Sequence, residues 1–218
     1  MHDEQFLILT GGIFMPPRAE DSRVRRTKRL LRQGLTELLQ EKSIKKITVR
    51  ELSERVDINR GTFYLHYKDI YDLVDCLENE LFDEFERIVS KFTIADLQTR
   101  PHQVFSDVCS FLYANRDLCA ALLGDNGDIN FVLRLRAFLQ EKCMRDAAAS
   151  FKTANAIEYK YVYAYFESGA VGMMRYWLEN PQDGKTPEQV ASLIELLFTN
   201  GLNCFSDVMR AQSGAAHL

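Results

Sequence analysis

The chain has 218 residues and a mass of 25.2 kDa, and its 46% apolar and 27% charged side chains suffice to bury a core in one large domain or two small ones. Only 11 glycines and 5 prolines exclude a fibrous or many-turned all-β chain, and no apolar run reaches the roughly 18 residues of a membrane span. Five cysteines (Cys76, Cys109, Cys119, Cys143 and Cys204) are scattered, odd in number and form no CxxC pair, which argues against a disulfide scaffold or zinc site and for a reducing cytoplasm.

The net charge of −4 is unevenly spread. Residues 18–75 hold 14 Lys and Arg against 10 Asp and Glu, while the remainder holds 13 against 21. A basic N-terminal quarter on an acidic body suits one end meeting a polyanion.

Residues 1–17 have acids before a short apolar stretch and two glycines within it, unlike a secretory signal. They are expected to form a loose arm outside the functional unit. Leu31, Leu35, Leu38 and Leu39 then mark an amphipathic helix over about residues 24–41. Thr48 followed by Glu51 is a capping-box pattern opening a short helix that carries Leu52 and ends near Val56. Asn59 is placed to cap a third short helix, Arg60 to His66. Asp69 and Asp72 open a long fourth one whose apolar stripe runs from Ile70 to Phe92, and Thr99-Arg100-Pro101 breaks the chain. Further helices are expected down to Ala114, from Phe131 to Ala149 and from Ala156 to Leu178, with turns at 115–117, 124–128 and 180–184. Pro187 begins a last helix carrying apolar residues to Val208, with a frayed tail from Ala211. The fold class is all-α.

The informative stretch is residues 48–68. Two short helices separated by Val56-Asp57-Ile58 have the spacing of a helix-turn-helix. Duplex binding requires the second to offer its early residues to the major groove, here Asn59, Arg60, Gly61, Thr62 and Tyr64. Phe63 is expected in the core with Leu31, Leu52 and Val56; the alternative of an ordinary buried aromatic cluster accounts for Phe63 and Leu65 but poorly for the polar-tipped groups around them. Gly61 costs about 1 kcal/mol of helix stability, a cost that close backbone approach to DNA would explain. His66, Tyr67 and Lys68 add donors suited to phosphate oxygens. Arg23, Arg25, Arg26, Lys28, Arg29 and Arg32 crowd the start of the first helix, where the helix dipole prefers acids and phosphates would turn a penalty into attraction.

The strings Thr48-Val49-Arg50-Glu51-Leu52-Ser53 and Asn59-Arg60-Gly61-Thr62-Phe63-Tyr64-Leu65-His66-Tyr67-Lys68-Asp69 resemble the DNA-binding segment of TetR-type transcriptional regulators, over about residues 24–75. The resemblance implies a helix-turn-helix domain over residues 18–75 and a helical effector-binding and dimerisation domain over residues 76–218. It further implies a homodimer closed by the last two helices and bound to a palindromic double-stranded operator. By position, Thr48 and Arg50 would hold phosphates, Asn59, Arg60, Gly61, Thr62 and Tyr64 would face the groove, and His66, Tyr67 and Lys68 would clamp backbone, with Arg26 adding a contact from the first helix. The family usually has Ala-Gly-Val before a Ser cap, whereas this chain has Val56-Asp57-Ile58 before Asn59. Asp tolerates the left-handed backbone better than most residues and less well than Gly. In the second half, Asn115-Arg116-Asp117-Leu118, Leu122-Leu123-Gly124 and Arg175-Tyr176-Trp177-Leu178 resemble, more weakly, a TetR subgroup containing regulators that act with dihydroxyacetone kinase subunits.

Tyr159, Tyr161, Tyr163, Tyr165, Phe166, Tyr176 and Trp177 share one helix and cannot all share one face, so some belong to the core and others to a pocket or partner surface. A small-molecule effector shifting the fourth helix would move the heads off half-sites about 34–36 Å apart. Gly169, Gly172 and Gly201 suit close helix approach at a dimer seam. His2, His66, His102 and His217 form no metal or triad pattern, and no phosphate loop or nucleophile motif occurs, so no cofactor and no enzyme activity are expected. The alternatives are a redox sensor using the cysteines, and a co-regulator whose acidic body binds another protein.

Overall fold

The computed structural model describes residues 22–124, 126–150 and 156–215. The expected arm at 1–17 lies outside them. Ten α-helices and no strand occur among the described residues: α1 (Ser22–Glu41), α2 (Val49–Arg55), α3 (Arg60–Tyr64), α4 (Ile70–Val89), α5 (Ile94–Thr99), α6 (Pro101–Ala114), α7 (Arg116–Leu123), α8 (Ile129–Ser150), α9 (Ala156–Glu179) and α10 (Pro187–Ala215).

Leu31, Leu35 and Leu38 on α1, Leu52 on α2 and Phe63 on α3 are fully buried together, which fixes the first three helices as one head. Gly34 is what lets α2 come close. A Cβ there would lie 2.3 Å from Val56 Cγ1 and 3.1 Å from Leu52 Cδ1. The apolar stripe of α4 continues the same core from Ile70 and Leu73 through Leu81, Phe85 and Val89 into the body. The expected boundary at residues 75/76 therefore falls inside one unbroken helix.

Two helices escaped the sequence. α5 is short but carries a full capping box, Thr93 with Asp96, and the carboxyl of Asp96 is held near 2 by bonds from the Thr93 backbone, Arg100 and the Thr93 hydroxyl. α7 begins directly after Asn115, where a turn over 115–117 was expected, because a single non-helical residue suffices to reorient the chain. The last helix runs on to Ala215 instead of fraying at Ala211. In the body α6 packs along α10, with Val104, Val108 and Cys109 against Val190, Ala191 and Ile194 in one core.

The α9 aromatics divide as their spacing requires. Trp177 is buried, stacks on Tyr113 at 5.8 Å and donates its indole N–H to the Lys185 carbonyl at 2.9 Å. Tyr161 and Tyr165 are each 76% exposed. Gly201 receives the Phe166 ring, since a Cβ would sit 2.4 Å from its Cζ, whereas Gly169 and Gly172 face open space. The glycines thus serve different ends.

Candidate nucleic-acid interface

The reading head is set by its caps. The Thr48 hydroxyl accepts the Glu51 backbone N–H at 3.2 Å, satisfying one orphan donor of α2. The reciprocal half expected of a capping box is used elsewhere, because the Glu51 carboxylate is paired with the Lys42 ammonium. The Asn59 side-chain oxygen accepts the Gly61 N–H at 2.7 Å and starts α3. Between them Asp57 has φ of +53°, the left-handed step that turns the chain from α2 into α3. Asp69 accepts the Asp72 N–H at 2.9 Å, while Asp72 accepts the Lys68 N–H at 2.8 Å, so α4 starts rigidly right after the clamp segment.

α3 has one inward and one outward face. Phe63 is 0% exposed, with the Tyr64 ring standing edge-on to it at 5.5 Å. Tyr64 is 57% exposed and the Arg60 side chain 54%. Asn59, Gly61, Lys68, Thr48 and Arg50 are also exposed, and Thr62 and His66 half-buried. At Gly61 the nearest atom to an added Cβ is Asn59 Oδ1 at 3.2 Å, which leaves its outer side open. On α1, Arg23, Arg25, Arg26, Lys28 and Arg29 are exposed, whereas Arg32 is half-buried and donates to Asn115 Oδ1 at 2.8 Å.

Two placements bear on the sequence reading. Tyr67 is only 7% exposed and packs its ring on Phe63 at 5.8 Å, so the body of its side chain belongs to the core. Leu65 is 80% exposed, which removes the alternative of a buried aromatic cluster for it. It prolongs the helix by one αR residue, and only positions 63 and 67 of that turn face inward.

The sequence reading also passed over Glu54. Its carboxylate bonds the Arg50 guanidinium at 2.8 Å and lies 3.8 Å from that of Arg60, so one acid sits between two candidate DNA-facing cations. The Arg50–Glu54 spacing of four residues on a helix was the available signal.

Burial pushes the Cys109 and Cys119 thiols up to about 12 and also raises Cys76, which makes them poor thiolates. Among the described residues no group of His, Cys, Asp and Glu is arranged to hold a metal, and no helix is long and apolar enough to cross a membrane.

Two family models match. "Bacterial regulatory proteins, tetR family" covers residues 32–77, and "Transcriptional regulator C-terminal region" of the TetR type covers residues 99–200. The chain is 25% identical over 101 residues to the HTH-type transcriptional regulator YxbF of Bacillus subtilis (strain 168). That stretch is 43% of this chain and spans about a quarter of the relative, 25% of its length. Three solved structures share the fold. A TetR transcriptional regulator from Streptococcus agalactiae 2603V has 23% identity and a TM-score of 0.52, covering 82% of this chain and 96% of its own. The dihydroxyacetone kinase operon activator DhaS has 16% identity and a TM-score of 0.52, covering 82% and 97%. NalD of Pseudomonas aeruginosa, the secondary repressor of the MexAB-OprM multidrug efflux pump, has 16% identity and a TM-score of 0.56, covering 82% and 97%. Proteins of this family are regulators and not enzymes. With a helix-turn-helix of this construction at its N-terminal end and a body matched by the same family's C-terminal model, the chain belongs to the TetR family of DNA-binding transcriptional regulators.

Proposed function

We propose that the protein is a ligand-responsive repressor that binds a palindromic operator as a homodimer in the cytoplasm. Asn59, Arg60, Gly61, Thr62 and Tyr64 read base edges, and Arg26, Thr48, Arg50, His66, Tyr67 and Lys68 hold phosphates. One observation carries the reading: Arg60 and Tyr64 are more than half exposed on a five-residue helix whose Phe63 is wholly buried. Such a helix presents rather than packs its polar side.

The dimer reading rests on α9 and α10. Leu193, Leu196 and Leu197 are 40%, 57% and 59% exposed on α10, and Tyr161 and Tyr165 are exposed on α9, apolar surface of the kind that subunit contact covers. A two-fold axis through this face gives two heads and hence a palindromic site. The effector reading rests on Tyr163, whose hydroxyl is buried with no hydrogen-bond partner among the described residues, close to the Arg136–Glu167 pair at 2.8 Å. Clefts of about 430 Å³ at the start of α10 and about 680 Å³ between α1 and α6–α7 are not lined by the α9 tyrosines. Repression is the output that operator occupancy alone produces.

The test is a titration of the purified protein against its own upstream DNA, with and without a metabolite panel, alongside sedimentation of the free protein. A saturable, salt-dependent complex of two chains per site, weakened by one metabolite, is expected. Binding with equal affinity to any duplex, or a monomer at micromolar concentration, refutes it.

A further inference from the structure

Leu65 has the highest exposure, 80%, of the large apolar side chains on the described surface, and it stands inside the segment proposed to read DNA, between Tyr64 and His66. Its backbone is αR (φ −73°, ψ −18°), so it continues α3 and lies one turn beyond Gly61 on the same face. Helical side chains lean toward the preceding turn, so Leu65 leans to the Gly61 side of the face while staying more than 4 Å from an added Gly61 Cβ. The space above Gly61 is open, with only Asn59 Oδ1 within 4 Å of an added Cβ. Leu65 and the bare Gly61 backbone thus lie one turn apart on one exposed face, in a segment that also carries the polar groups of Asn59, Arg60 and Thr62.

A leucine has no donor or acceptor, so it cannot read the hydrogen-bonding pattern of a base edge. The only apolar group that an unmodified base pair displays in the major groove is the thymine C5-methyl. We propose that Leu65, with Gly61, forms a thymine-methyl pocket and is a specificity-determining residue of this regulator. The proposal rests on α3 being the reading helix and adds what that helix selects. Burying one methyl is worth about fourfold in affinity, so a symmetric site in a dimer gains roughly sixteenfold.

The full-length protein is first used to select duplexes from a randomised library. Each thymine of the selected site is then replaced in both half-sites by deoxyuridine, which removes only the methyl, and affinity is read by fluorescence anisotropy at fixed salt. One symmetric position is expected at which the wild type loses on the order of tenfold. Leu65→Ala should weaken binding to the thymine duplex comparably, lose its sensitivity to uracil there and keep the wild-type salt slope. Leu65→Met, which keeps an apolar side chain of similar size, should retain the discrimination. If no position distinguishes thymine from uracil, or if Leu65→Ala still does, the inference falls while the DNA-reading assignment stands. A selection that converges on no sequence removes both.

Discussion

Glu78 gives the head-bearing helix a pH-dependent stability. It lies on α4, is 7% exposed, and its Oε1 has no hydrogen-bond partner among the described residues. Burial, then the carboxylates of Asp128 and Asp75, push its pKa up to about 7, and Arg134 opposes the shift. The Arg134 guanidinium is committed elsewhere, donating to Asn79 Oδ1 at 2.6 Å and lying 3.8 Å over the Phe82 ring. In the unfolded chain a glutamate ionises near its ordinary value of 4.5. Below that value both states hold the proton and folding loses nothing. Between 4.5 and about 7 only the unfolded state ionises, so stability falls as pH rises through this window, by about 3 kcal/mol in all. Glu78→Gln keeps the size and removes the ionisation. Its stability relative to wild type should therefore climb by about 3 kcal/mol from pH 4.5 to pH 8, roughly 6–12 °C in Tm for a chain of this length. Urea unfolding at matched protein concentration across this range measures it, and the other titrating groups cancel in the difference. Parallel stability curves for wild type and Glu78→Gln would refute the assignment.

The remaining predictions concern the head. Gly34→Ala drives a methyl into Val56 Cγ1 at 2.3 Å, and overpacking of about 1–3 kcal/mol should outweigh a helix-propensity gain of about 1 kcal/mol, lowering the urea midpoint. Asp57→Val puts a β-branched residue at φ +53° and should cost about 1–2 kcal/mol in the same assay, whereas Asp57→Gly should not destabilise. Lys68→Ala and Arg26→Ala should each weaken binding to every duplex and lower the salt slope by about 0.9, while Arg60→Ala should shift base preference; an unchanged slope for Lys68→Ala removes its phosphate role.

Most of the head was legible because its signals are local. Thr48, Asn59 and Asp69 each cap the helix that their spacing predicts, and the Phe63 and Leu31 periodicities alone place those side chains inside. The outward place of Leu65 and the inward place of the Tyr67 ring were not legible because α3 is too short for a stripe to form, and which large side chain faces inward is decided by where the turn ends. α7 was missed because its helix propensity had to compete with an Asn-Arg-Asp string that reads as a turn, and packing on α1 and α9 decides the outcome. Gly34 has no side chain to signal its role; only the Val56 contact across the head reveals it.

The α6–α7 junction at Asn115 and Arg116 links body to head. Arg116 donates to the Trp177 and Leu178 carbonyls at 2.9–3.3 Å, satisfying orphan acceptors of the last turn of α9, and its guanidinium lies about 6 Å from the Tyr113 and Trp177 rings. The neighbouring Asn115 accepts from Arg32, which is on α1, three to nine residues from the exposed basic side chains Arg23 to Arg29, and also lies 3.9 Å from Glu80 on α4. A displacement of α9 that carries Arg116 with it must therefore move α1 or break the Arg32–Asn115 bond. Asn115→Ala removes that bond while leaving Arg116 and its carbonyl partners in place. Native-state hydrogen exchange should then show faster exchange at the C-terminal turn of α6 and in the middle of α1, with α9 unaffected; faster exchange in α9 as well, or none in α1, would mean that the two ends communicate by another route.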